Sequence, residues 1–240
     1  MEKMILDHAA ACYPAESCGL IIGTPAGRHY MPCVNIADSP TEFFEISPTD
    51  WLRAHTAGEV VAVVHSHPDG LPVLSEGDRA AQRRTALEWW LVCDGAIKRF
   101  RNVPPLLGRQ FEHGVTDCYT LFRDAYHLAG VDMPEFARTD EWWARGENLY
   151  IDNMERTGFR RVDTPEPGDI ILICLGTSTA NHAAIYCGEQ MILHHCPNRF
   201  SRRDLYNGFW LNYTHSIWRH ELWQLSGFTA ILNDMAASST

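Results

Sequence analysis

Two histidines and an aspartate in the first half of the chain have the types and spacing of a catalytic metal site. His65 and His67 come directly after Glu59–Val64, a run that is apolar after its first residue and typical of a buried strand. Residues two apart in a strand point to the same side, so both imidazoles can bind one cation. Asp78 can supply an oxygen ligand from the first turn of the next helix. Two histidines and one carboxylate leave a fourth position for water, which is typical of catalytic zinc.

A zinc site of this kind also needs a general base and a group that stabilises the oxyanion. Glu16 stands at the start of a predicted strand and is the candidate base. The Ser75 hydroxyl can donate a hydrogen bond to the developing oxyanion. A simpler interpretation stays open, because His-x-His occurs at strand ends by chance and Ser75 with Asp78 also forms an ordinary helix capping box.

A second set of reactive residues lies in the other half of the chain. Cys118 follows Asp117 at a predicted helix start, where the positive end of the helix dipole stabilises a thiolate. A nucleophilic cysteine needs an imidazole base, and the base needs a group that orients it. His182 and His194 lie in two predicted strands joined by a turn, which can place their imidazoles side by side. These residues predict a cysteine nucleophile supported by two histidines.

Other interpretations of the second set stay open. A cysteine on the apolar face of a helix is more often buried and inert than reactive. His194, His195 and Cys196 can also be interpreted as a metal cluster, but adjacent residues in a strand face opposite sides and cannot bind one ion together. The same alternation selects His194, rather than His195, as the partner of His182.

The elements around the first set alternate between helix and strand, which predicts an α/β domain. Ser47 and Pro48 have the types of an N-cap and a first helical residue. Two prolines and a glycine within residues 104–108 predict a domain boundary near residue 103. The predicted elements are a helix at Met1–Cys12, strands at Ser17–Gly23 and His29–Ile36, a helix capped by Ser47, a strand at Glu59–Val64, a helix from Ser75 to about Leu87, and strands at Trp89–Cys93 and Ile97–Phe100.

Helices precede strands in the remaining segment, which predicts an α+β domain with a mostly antiparallel sheet. We interpret the Trp142-Trp143 pair as packing and expect a frayed end at Asn233–Thr240. The predicted elements are helices at Asp117–Leu128 and Glu141–Arg156, and strands at Ile170–Cys174, Ala183–Cys187, Met191–His195 and Ser216–Trp218.

Composition excludes several classes of function. The 240 residues carry a net charge of −10 and form no clustered basic run, so we expect no nucleic-acid partner. No stretch reaches the ~20 apolar residues of a membrane span, and no signal-peptide core follows Met1, so we expect the chain to begin in a cytoplasm. The eight cysteines are scattered without a Cys-x-x-Cys pair, which indicates reduced thiols.

The first set resembles the JAMM/MPN metalloprotease motif, over about residues 1–100. That motif is a Glu, a His-x-His, seven residues, a Ser, two residues and an Asp. The chain has every position in order, as Glu16, His65, His67, Ser75 and Asp78. The resemblance implies a cytidine-deaminase-like α/β fold, Zn²⁺ bound by His65, His67 and Asp78, and hydrolysis of peptide or isopeptide bonds.

The second set resembles the NlpC/P60 family of papain-like cysteine peptidases, over about residues 106–220. The resemblance implies a papain-like α+β fold with Cys118 as nucleophile, His182 as base and His194 as the orienting residue. The chain has no clear equivalent of the upstream tyrosine that some bacterial members carry near the oxyanion site. The matching segments are Asp117-Cys118, Pro167-Gly168-Asp169, His182-Ala183-Ala184-Ile185-Tyr186-Cys187-Gly188 and His194.

The order of the two domains, residues 1–103 and then residues 104–240, resembles a family of siphophage tail tip assembly proteins. This resemblance implies cleavage of peptidoglycan stem or crosslink peptides and contacts with other phage tail tip proteins. It also implies a location in the host cytoplasm during assembly and then in the virion tail tip. One alternative is a structural assembly factor whose active sites are dispensable or occluded. A weaker one is a deubiquitinase-like isopeptidase.

Overall fold

The chain folds into two compact units, and each unit contains one of the two reactive sets. The computed structural model describes residues 1–238 and divides the chain into Met1–Val103 and a second unit that begins at Pro104. Each unit has its own β-sheet. None of the helices within residues 1–238 is long and apolar enough to cross a membrane.

The first unit alternates helices and strands around one sheet. Its elements are α1 (Glu2–Cys12), β1 (Cys18–Thr24), β2 (Gly27–Cys33), α2 (Pro48–Ala57), β3 (Glu59–Ser66), α3 (Glu76–Thr85), β4 (Glu88–Cys93) and β5 (Ala96–Phe100). The five strands have the order β2-β1-β3-β4-β5. Strands β3 and β4 run parallel, and the other neighbours run antiparallel. This arrangement agrees with the predicted α/β alternation.

Both faces of this sheet are buried, which explains the continuous apolar run in β3. Successive residues of a strand point to opposite faces. Leu20 accordingly packs in one hydrophobic cluster with Ala54 of α2, and Ile21 packs in another with Ile5 of α1. The helices therefore cover the sheet from both sides and leave the ends of its strands to carry polar side chains.

The second unit is built on an antiparallel sheet. Its elements are α4 (Cys118–Leu128), α5 (Leu149–Met154), β6 (Phe159–Val162), β7 (Ile170–Ile173), β8 (His182–Gly188), β9 (Met191–His194), β10 (Arg202–Leu205), α6 (Gly208–Asn212), β11 (Thr214–His220) and α7 (Leu225–Ala237), with short 3₁₀ helices at Trp142–Arg145 and Glu155–Thr157. The six strands have the order β10-β9-β8-β7-β11-β6. This sheet agrees with the predicted α+β class.

Helix α4 packs against this sheet and sets the position of its own first residue. It contacts β8, β9 and α7. The hydroxyl of buried Tyr126 donates to the Gly168 carbonyl at 2.8 Å, and its ring packs against Phe159 with centroids 5.4 Å apart. A buried aromatic anchor of this kind contributes about 3–5 kcal/mol in truncation experiments. It fixes the last turn of α4 to the segment just before β7.

Several elements of the second unit differ from the sequence-based prediction, and helix α6 was not predicted. Strands β6 and β10 were not predicted, because they are the two edge strands of the sheet and carry charged residues instead of an apolar run. The predicted frayed end is wrong for Asn233–Ala237, which belong to α7, whereas residues 239 and 240 lie outside the described part. The single helix predicted over Glu141–Arg156 is split at Gly146, whose φ of +79° ends the first turn.

Candidate functional site

The end of β3 and the start of α3 bring the first reactive set together. His65 lies in β3 beside Cys18 of β1, and the His67 amide, just beyond the strand, donates to the Val92 carbonyl at 2.9 Å. Asp78 is the third residue of α3, where its carboxylate accepts from the Ser75 amide at 2.8 Å. Strand pairing and helix capping therefore aim these three side chains at one point.

The three ligand atoms form a nearly equilateral triangle. His65 Nε2 and His67 Nε2 are 3.2 Å apart, and Asp78 Oδ2 lies 3.4 Å from His65 Nε2 and 3.2 Å from His67 Nε2. Zinc bonds of about 2.0–2.1 Å at tetrahedral angles place ligand atoms about 3.3–3.4 Å apart. The donor set and its dimensions therefore fit a zinc ion with a fourth position left open.

The surroundings of the two imidazoles also suit metal ligands. The Nδ1 of His67 lies 2.9 Å from the Leu71 carbonyl, which can only accept, so Nε2 keeps its lone pair. Phe44 stacks on the His65 ring with centroids 4.7 Å apart, and Trp89 packs its edge against the same ring. His65 Nδ1 is buried without a hydrogen-bond partner in the described residues. On its Nδ1 side, the His65 ring is therefore held by packing rather than by a hydrogen bond.

Glu16 lies beside this group, as expected of a proton carrier. Its Oε1 is 3.8 Å from His67 Nε2, and only 6% of the residue is exposed. Burial raises the pKa of the Glu16 carboxyl to about 7, although the neighbouring His67 opposes the rise. The Asn35 amide donates to the Glu16 carbonyl at 3.0 Å and holds this segment in place.

Ser75 caps helix α3. It is the N-cap of α3, and its hydroxyl accepts from the Asp78 amide at 3.0 Å in a complete capping box. The residue is exposed and, with Asp78, lines a cleft of about 430 Å³. Accepting through the oxygen leaves the hydroxyl hydrogen able to donate into this cleft. Capping and oxyanion binding are therefore compatible.

The second reactive set begins at the N-terminus of α4. Cys118 is the first residue of the helix, and Asp117 is its N-cap, accepting from the Thr120 amide at 2.9 Å and the Gly114 amide at 2.9 Å. Arg138 donates to the same carboxylate at 2.9 Å. Burial alone would raise the pKa of Asp117, but these amides and the guanidinium outweigh it and lower the pKa.

Tyr150 is a neighbour of Cys118 that the sequence did not reveal. Its hydroxyl lies 3.2 Å from Cys118 Sγ, and the residue is buried. It comes from α5, downstream of the cysteine, whereas the tyrosine that some bacterial NlpC/P60 members carry lies upstream. No local pattern links it to Cys118, since 32 residues separate them.

The thiol itself is less acidic than a helix start suggests. Burial raises the pKa of Cys118 to about 11, and the charge of Asp117 adds to the rise. Hydrogen bonds from Tyr150 and from the Ala183 amide act in the opposite direction. The expected lowering by the helix dipole is therefore outweighed, because desolvation penalises the thiolate. A base must take the thiol proton for Cys118 to act as a nucleophile near neutral pH.

His182 and His194 form a hydrogen-bonded chain with a carboxylate. His182 Nε2 lies 3.1 Å from His194 Nδ1, and His194 Nε2 lies 3.0 Å from Asp204 Oδ2. The pairing of His194 with Ala184 and with Arg202 puts all three side chains on one face of strands β8, β9 and β10. Asp204 was missed in the sequence, because its charged edge strand resembles a loop.

The structure distinguishes His194 from its neighbour His195. His195 faces the other side of the sheet, fully buried, with its ring centroid 5.1 Å from that of Phe111. Trp210 packs edge-on against the His194 ring at 4.4 Å and lies 6.0 Å from His182. The indole shields both imidazoles from water. The choice of His194 as the partner of His182 agrees with this geometry.

An open cleft of about 790 Å³ gives access to the nucleophile. Its walls include Cys118, Tyr150 and His182. Trp142 and Trp143 also line this cleft. Trp142 is buried against Tyr150 with ring centroids 6.0 Å apart, in agreement with its interpretation as a packing residue. The cleft is large enough to hold several residues of an extended peptide.

Comparison with protein families assigns both units. Residues 1–103 match the family described as prokaryotic homologs of the JAB domain, and residues 108–219 match the NlpC/P60 family. Together these two matches cover the regions in which the two reactive sets lie.

Two phage proteins are similar to the chain along most of their length. It is 58% identical over 197 residues to tail tip assembly protein K of Escherichia phage lambda, covering 81% of this chain and 99% of that protein. It is 36% identical over 225 residues to tail tip assembly protein K of Escherichia phage N15, covering 90% of this chain and 93% of that protein.

Solved structures similar to the chain include NlpC/P60 proteins of two bacteria. An NLP/P60 family protein of Staphylococcus aureus has 18% identity and a TM-score of 0.33, covering 47% of this chain and 36% of that chain. An NlpC/P60 family protein of Bacillus cereus has 13% identity and a TM-score of 0.39, covering 89% of this chain and 66% of that chain.

Proposed function

This chain belongs to the family of phage tail tip assembly protein K and carries a JAB-like domain followed by an NlpC/P60 domain, and on that basis we propose that it is a peptidase with two separate active sites. The NlpC/P60 site cuts peptide bonds of peptidoglycan, so that the tail can pass the cell wall. The JAB-like site is a zinc peptidase. The proposal depends above all on the hydrogen-bonded chain of His182, His194 and Asp204 in the unit that holds Cys118.

In the NlpC/P60 site, His182 takes the thiol proton and Cys118 Sγ attacks the peptide carbonyl carbon. The tetrahedral intermediate collapses, the C–N bond breaks, and His182 returns the proton to the leaving amine. His182 then takes a proton from water, which attacks the thioester and releases the acid and the free thiol. His194 supports this cycle, because its Nδ1 accepts from the His182 Nε2–H group and keeps the other nitrogen of His182 free to act as base.

Tyr150 assists the attack by stabilising the thiolate. Its hydroxyl is within hydrogen-bond distance of Cys118 Sγ and can donate to the sulfur as negative charge develops. This donor partly offsets the burial that disfavours the thiolate. Tyr150 is therefore the hydrogen-bond donor to the Cys118 thiolate, and the sequence did not predict such a donor.

Acidic wall peptides suit the lining of the NlpC/P60 cleft. Arg199 is exposed and lines it together with Trp142 and Trp143. Guanidinium groups bind carboxylates with paired hydrogen bonds, and aromatic rings pack against the aliphatic parts of a peptide. Peptidoglycan stem and crosslink peptides carry free carboxylates along a short extended chain, so they match this combination.

The decisive experiment compares the wild-type protein with Cys118→Ala on purified Gram-negative peptidoglycan. We expect peptide fragments from the wild type, identified by mass spectrometry, and none from the variant. Cys187→Ala is the matched control, because Cys187 is another partly buried, free thiol of the same unit. Fragments released equally by Cys118→Ala would refute the assignment of the nucleophile.

In the JAB-like site, His65, His67 and Asp78 would hold a zinc ion, which supplies Lewis acidity for peptide hydrolysis. Glu16 moves the proton of the attacking water to the leaving amine, and burial suits it to this role by bringing its pKa close to neutrality. The Ser75 hydroxyl donates to the developing oxyanion. The fit of the three ligand atoms to tetrahedral dimensions supports this assignment.

We propose that the substrate of the JAB-like site is another tail protein that is processed during assembly in the host cytoplasm. Virions assembled with Asp78→Asn should contain at least one tail protein of larger mass than virions assembled with the wild type. Intact mass spectrometry of purified tails gives this comparison. Identical masses for all tail proteins would refute processing by this site.

A structural assembly factor is the competing function, and it predicts a different result for infection. A phage that carries both Cys118→Ala and Asp78→Asn forms normal infectious tails if the protein acts only through contacts with other tail tip proteins. Under the two-site peptidase proposal, the same phage loses infectivity, although tails can still assemble. Plaque counts and electron microscopy of tails measure the two outcomes separately.

A further inference from the structure

Cys196 is a thiol that the proposed peptidase reaction does not use, yet it faces both histidines of the NlpC/P60 site. Its Sγ lies 3.8 Å from His182 Nε2 and 3.6 Å from His194 Nδ1, and those nitrogens are 3.1 Å apart. The cysteine is partly buried and forms no disulfide. The proposed proton transfer uses the imidazoles of His182 and His194 but not the thiol. The Cys196 sulfur is therefore an additional potential metal ligand beside these two histidines.

The three atoms have the dimensions of a tetrahedral metal centre. Zinc bonds of about 2.3 Å to sulfur and about 2.0–2.1 Å to nitrogen place sulfur and nitrogen ligands about 3.6 Å apart. His182, His194 and Cys196 meet these dimensions within a few tenths of an ångström, with all three ligand atoms inside 4.8 Å of one another. The distances between these three side-chain atoms thus suit a metal ion without any rearrangement.

The local structure explains why these residues can converge although His194, His195 and Cys196 cannot. His194 ends β9 and Cys196 lies two residues later, so their side chains point to the same side. This is the spacing of His65 and His67 at the end of β3. His195 points away, and His182 from the neighbouring strand β8 takes the third position.

The carboxylate behind His194 also suits a metal ligand. Asp204 can only accept from His194 Nε2 when ionised, which leaves the lone pair of Nδ1 directed at His182 and Cys196. Histidines that bind metals usually donate their other N–H group to a carboxylate or a carbonyl in this way. Two imidazoles and a thiolate favour zinc over magnesium or calcium, which prefer oxygen ligands.

We propose that His182, His194 and Cys196 form a second zinc site, which switches off the cysteine peptidase when it is occupied. Its inhibitory effect rests on the proposed function, whereas its existence does not. A neutral imidazole has one lone pair. When His182 Nε2 binds the metal, the ring proton is on Nδ1 and His182 cannot take the proton of Cys118. On binding, the Cys196 thiol releases its proton to solvent.

Metal binding and catalysis therefore need opposite tautomers of His182. Without the ion, Nε2–H donates to His194 and Nδ1 is the free base. With the ion, Nε2 is a ligand and the base is lost. The site thus gives the peptidase an inactive, metal-bound form and an active, metal-free form, and the protein needs no change of fold to pass between them.

Cobalt tests the site without any measurement of activity. Full-length protein is stripped with a chelator and titrated with Co²⁺, whose bond to a thiolate produces a near-ultraviolet charge-transfer band. The site of His65, His67 and Asp78 contains no sulfur, so it does not contribute to this band. We expect the band in the wild type and in Cys187→Ser and Cys118→Ser, and its loss in Cys196→Ser and Cys196→Ala.

The outcomes of the cobalt titration separate the possibilities. Absence of the band in the wild type, or its persistence in both Cys196 variants, would overturn the second site. Loss of the band in Cys118→Ser would assign the thiolate ligand to the nucleophile and would also overturn it. In the Asp78→Asn background, zinc affinity measured with a competing chelator should still fall about 10- to 100-fold on Cys196→Ser. Circular dichroism verifies that each variant is folded.

Zinc inhibition tests the regulatory part. Cleavage of peptidoglycan is measured for each variant with a chelator and with added Zn²⁺, so that every variant serves as its own reference. We expect inhibition of the wild type and of Asp78→Asn, and relief of inhibition in Cys196→Ser. Equal inhibition with and without Cys196 would overturn the switch. A wild type that is inactive even with the chelator would instead refute the proposed peptidase, and the cobalt result would still decide the site.

Discussion

Asp204 determines which ring nitrogen of His194 carries the proton. Through His194 it also determines which ring nitrogen of His182 is protonated. The carboxylate accepts from His194 Nε2–H, so Nδ1 of that ring must accept from His182. His182 then keeps its remaining nitrogen unprotonated for the thiol of Cys118. Arg202 donates to the same Asp204 oxygen at 2.9 Å and keeps the carboxylate in place. One carboxylate on an edge strand therefore sets the protonation of the proposed base two strands away.

Replacing Asp204 by Asn should lower kcat for cleavage of wall peptides by about 100-fold and leave KM nearly unchanged. The amide can donate to His194 Nε2, which reverses the tautomer of that ring and removes the acceptor for His182. Steady-state kinetics on a purified wall peptide give both constants. Asp163→Asn is the control, because Asp163 is an exposed carboxylate of the same unit. Equal kcat values for the two variants would contradict the role of Asp204.

Replacing Tyr150 by Phe should raise the pKa of Cys118 above its value of about 11, because the hydrogen bond that lowers it is lost. A charge-assisted hydrogen bond of this kind corresponds to about a tenfold change in the thiolate fraction. Alkylation of Cys118, followed by peptide mass spectrometry at several pH values, should therefore be about tenfold slower.

Tyr119→Phe is the matched control for Tyr150→Phe. It also removes a hydroxyl from a largely buried tyrosine, but that hydroxyl donates to the Pro134 carbonyl rather than to the thiol. Equal alkylation rates for the wild type and Tyr150→Phe would show that the Tyr150 hydroxyl does not support the thiolate.

Replacing Asp78 by Asn should weaken zinc binding to the JAB-like site by at least about 10- to 100-fold, the cost of losing a group that only supports a ligand, because a neutral amide is a poorer ligand than a carboxylate. Asp50→Asn is the matched control. Asp50 occupies the same third position of a serine-capped helix, with the Ser47 hydroxyl accepting from its amide, and lies outside the ligand group. Zinc competition assays compare the two. An equal effect of both variants would attribute the loss to helix capping.

At the scale of elements, the start of α4 is the main constraint on the cysteine site. Asp117 accepts backbone hydrogen bonds from the helix and from the preceding loop, and it also pairs with the buried Arg138. These contacts join the segment before α4, the helix itself and the segment around residue 138. Cys118 is thereby placed at the floor of the cleft, and Arg138 is left on its wall.

Replacing Asp117 by Asn should destabilise the second unit at pH 7 by about 3 kcal/mol, because it removes the buried carboxylate paired with Arg138 and leaves only the exposed Glu135 as counter-charge. The pKa of Asp117 is lowered in the folded state, so its stabilisation is present above the unfolded pKa of about 3.9 and is lost as the pH falls through the folded value. The difference in unfolding free energy between the wild type and Asp117→Asn should therefore shrink in acid.

Denaturant titrations at pH 7 and pH 3 measure that difference. Asp163→Asn again serves as the control and should change the unfolding free energy by less than about 0.5 kcal/mol at either pH. A difference between the wild type and Asp117→Asn that stays constant or grows in acid would contradict the buried charge pair.

At the scale of the whole molecule, two compact units carry two sets of chemistry with different requirements. The first unit has oxygen and nitrogen donors that could hold a metal ion, and the reaction proposed for the second unit needs none. The proposed function therefore gives the 240-residue chain one metal-dependent site and one metal-independent site. Experiments should therefore show that only the JAB-like site depends on metal.

Chelation of zinc should leave cleavage of peptidoglycan unchanged or increase it, whereas Cys118→Ala should leave the zinc affinity of the JAB-like site unchanged. The physical reason is that the cysteine reaction uses only proton transfer and covalent chemistry. Fragment release and metal affinity are measured on the same preparations. Loss of wall cleavage on chelation, restored by zinc, would contradict this separation.

Both domain families were identified from the sequence, and the family comparisons confirm them. The α/β and α+β classes are confirmed with them. Continuous apolar runs identified the buried strands, including Glu59–Val64, because a strand covered on both faces must be largely apolar. The edge strands β6 and β10 escaped prediction, since water covers one side of each and their charged residues have no such constraint.

The sequence by itself determined the residues close to one another along the chain: His65 and His67 at a strand end, Asp78 in the following helix, and Cys118 after its N-cap. Their spacing follows from the repeats of strand and helix, which act over a few residues. Tertiary structure decided the partners from other elements, namely Tyr150 and Asp204, and the approach of Cys196 to His182. Strand register and helix packing bring these together, and neither is encoded in a local pattern.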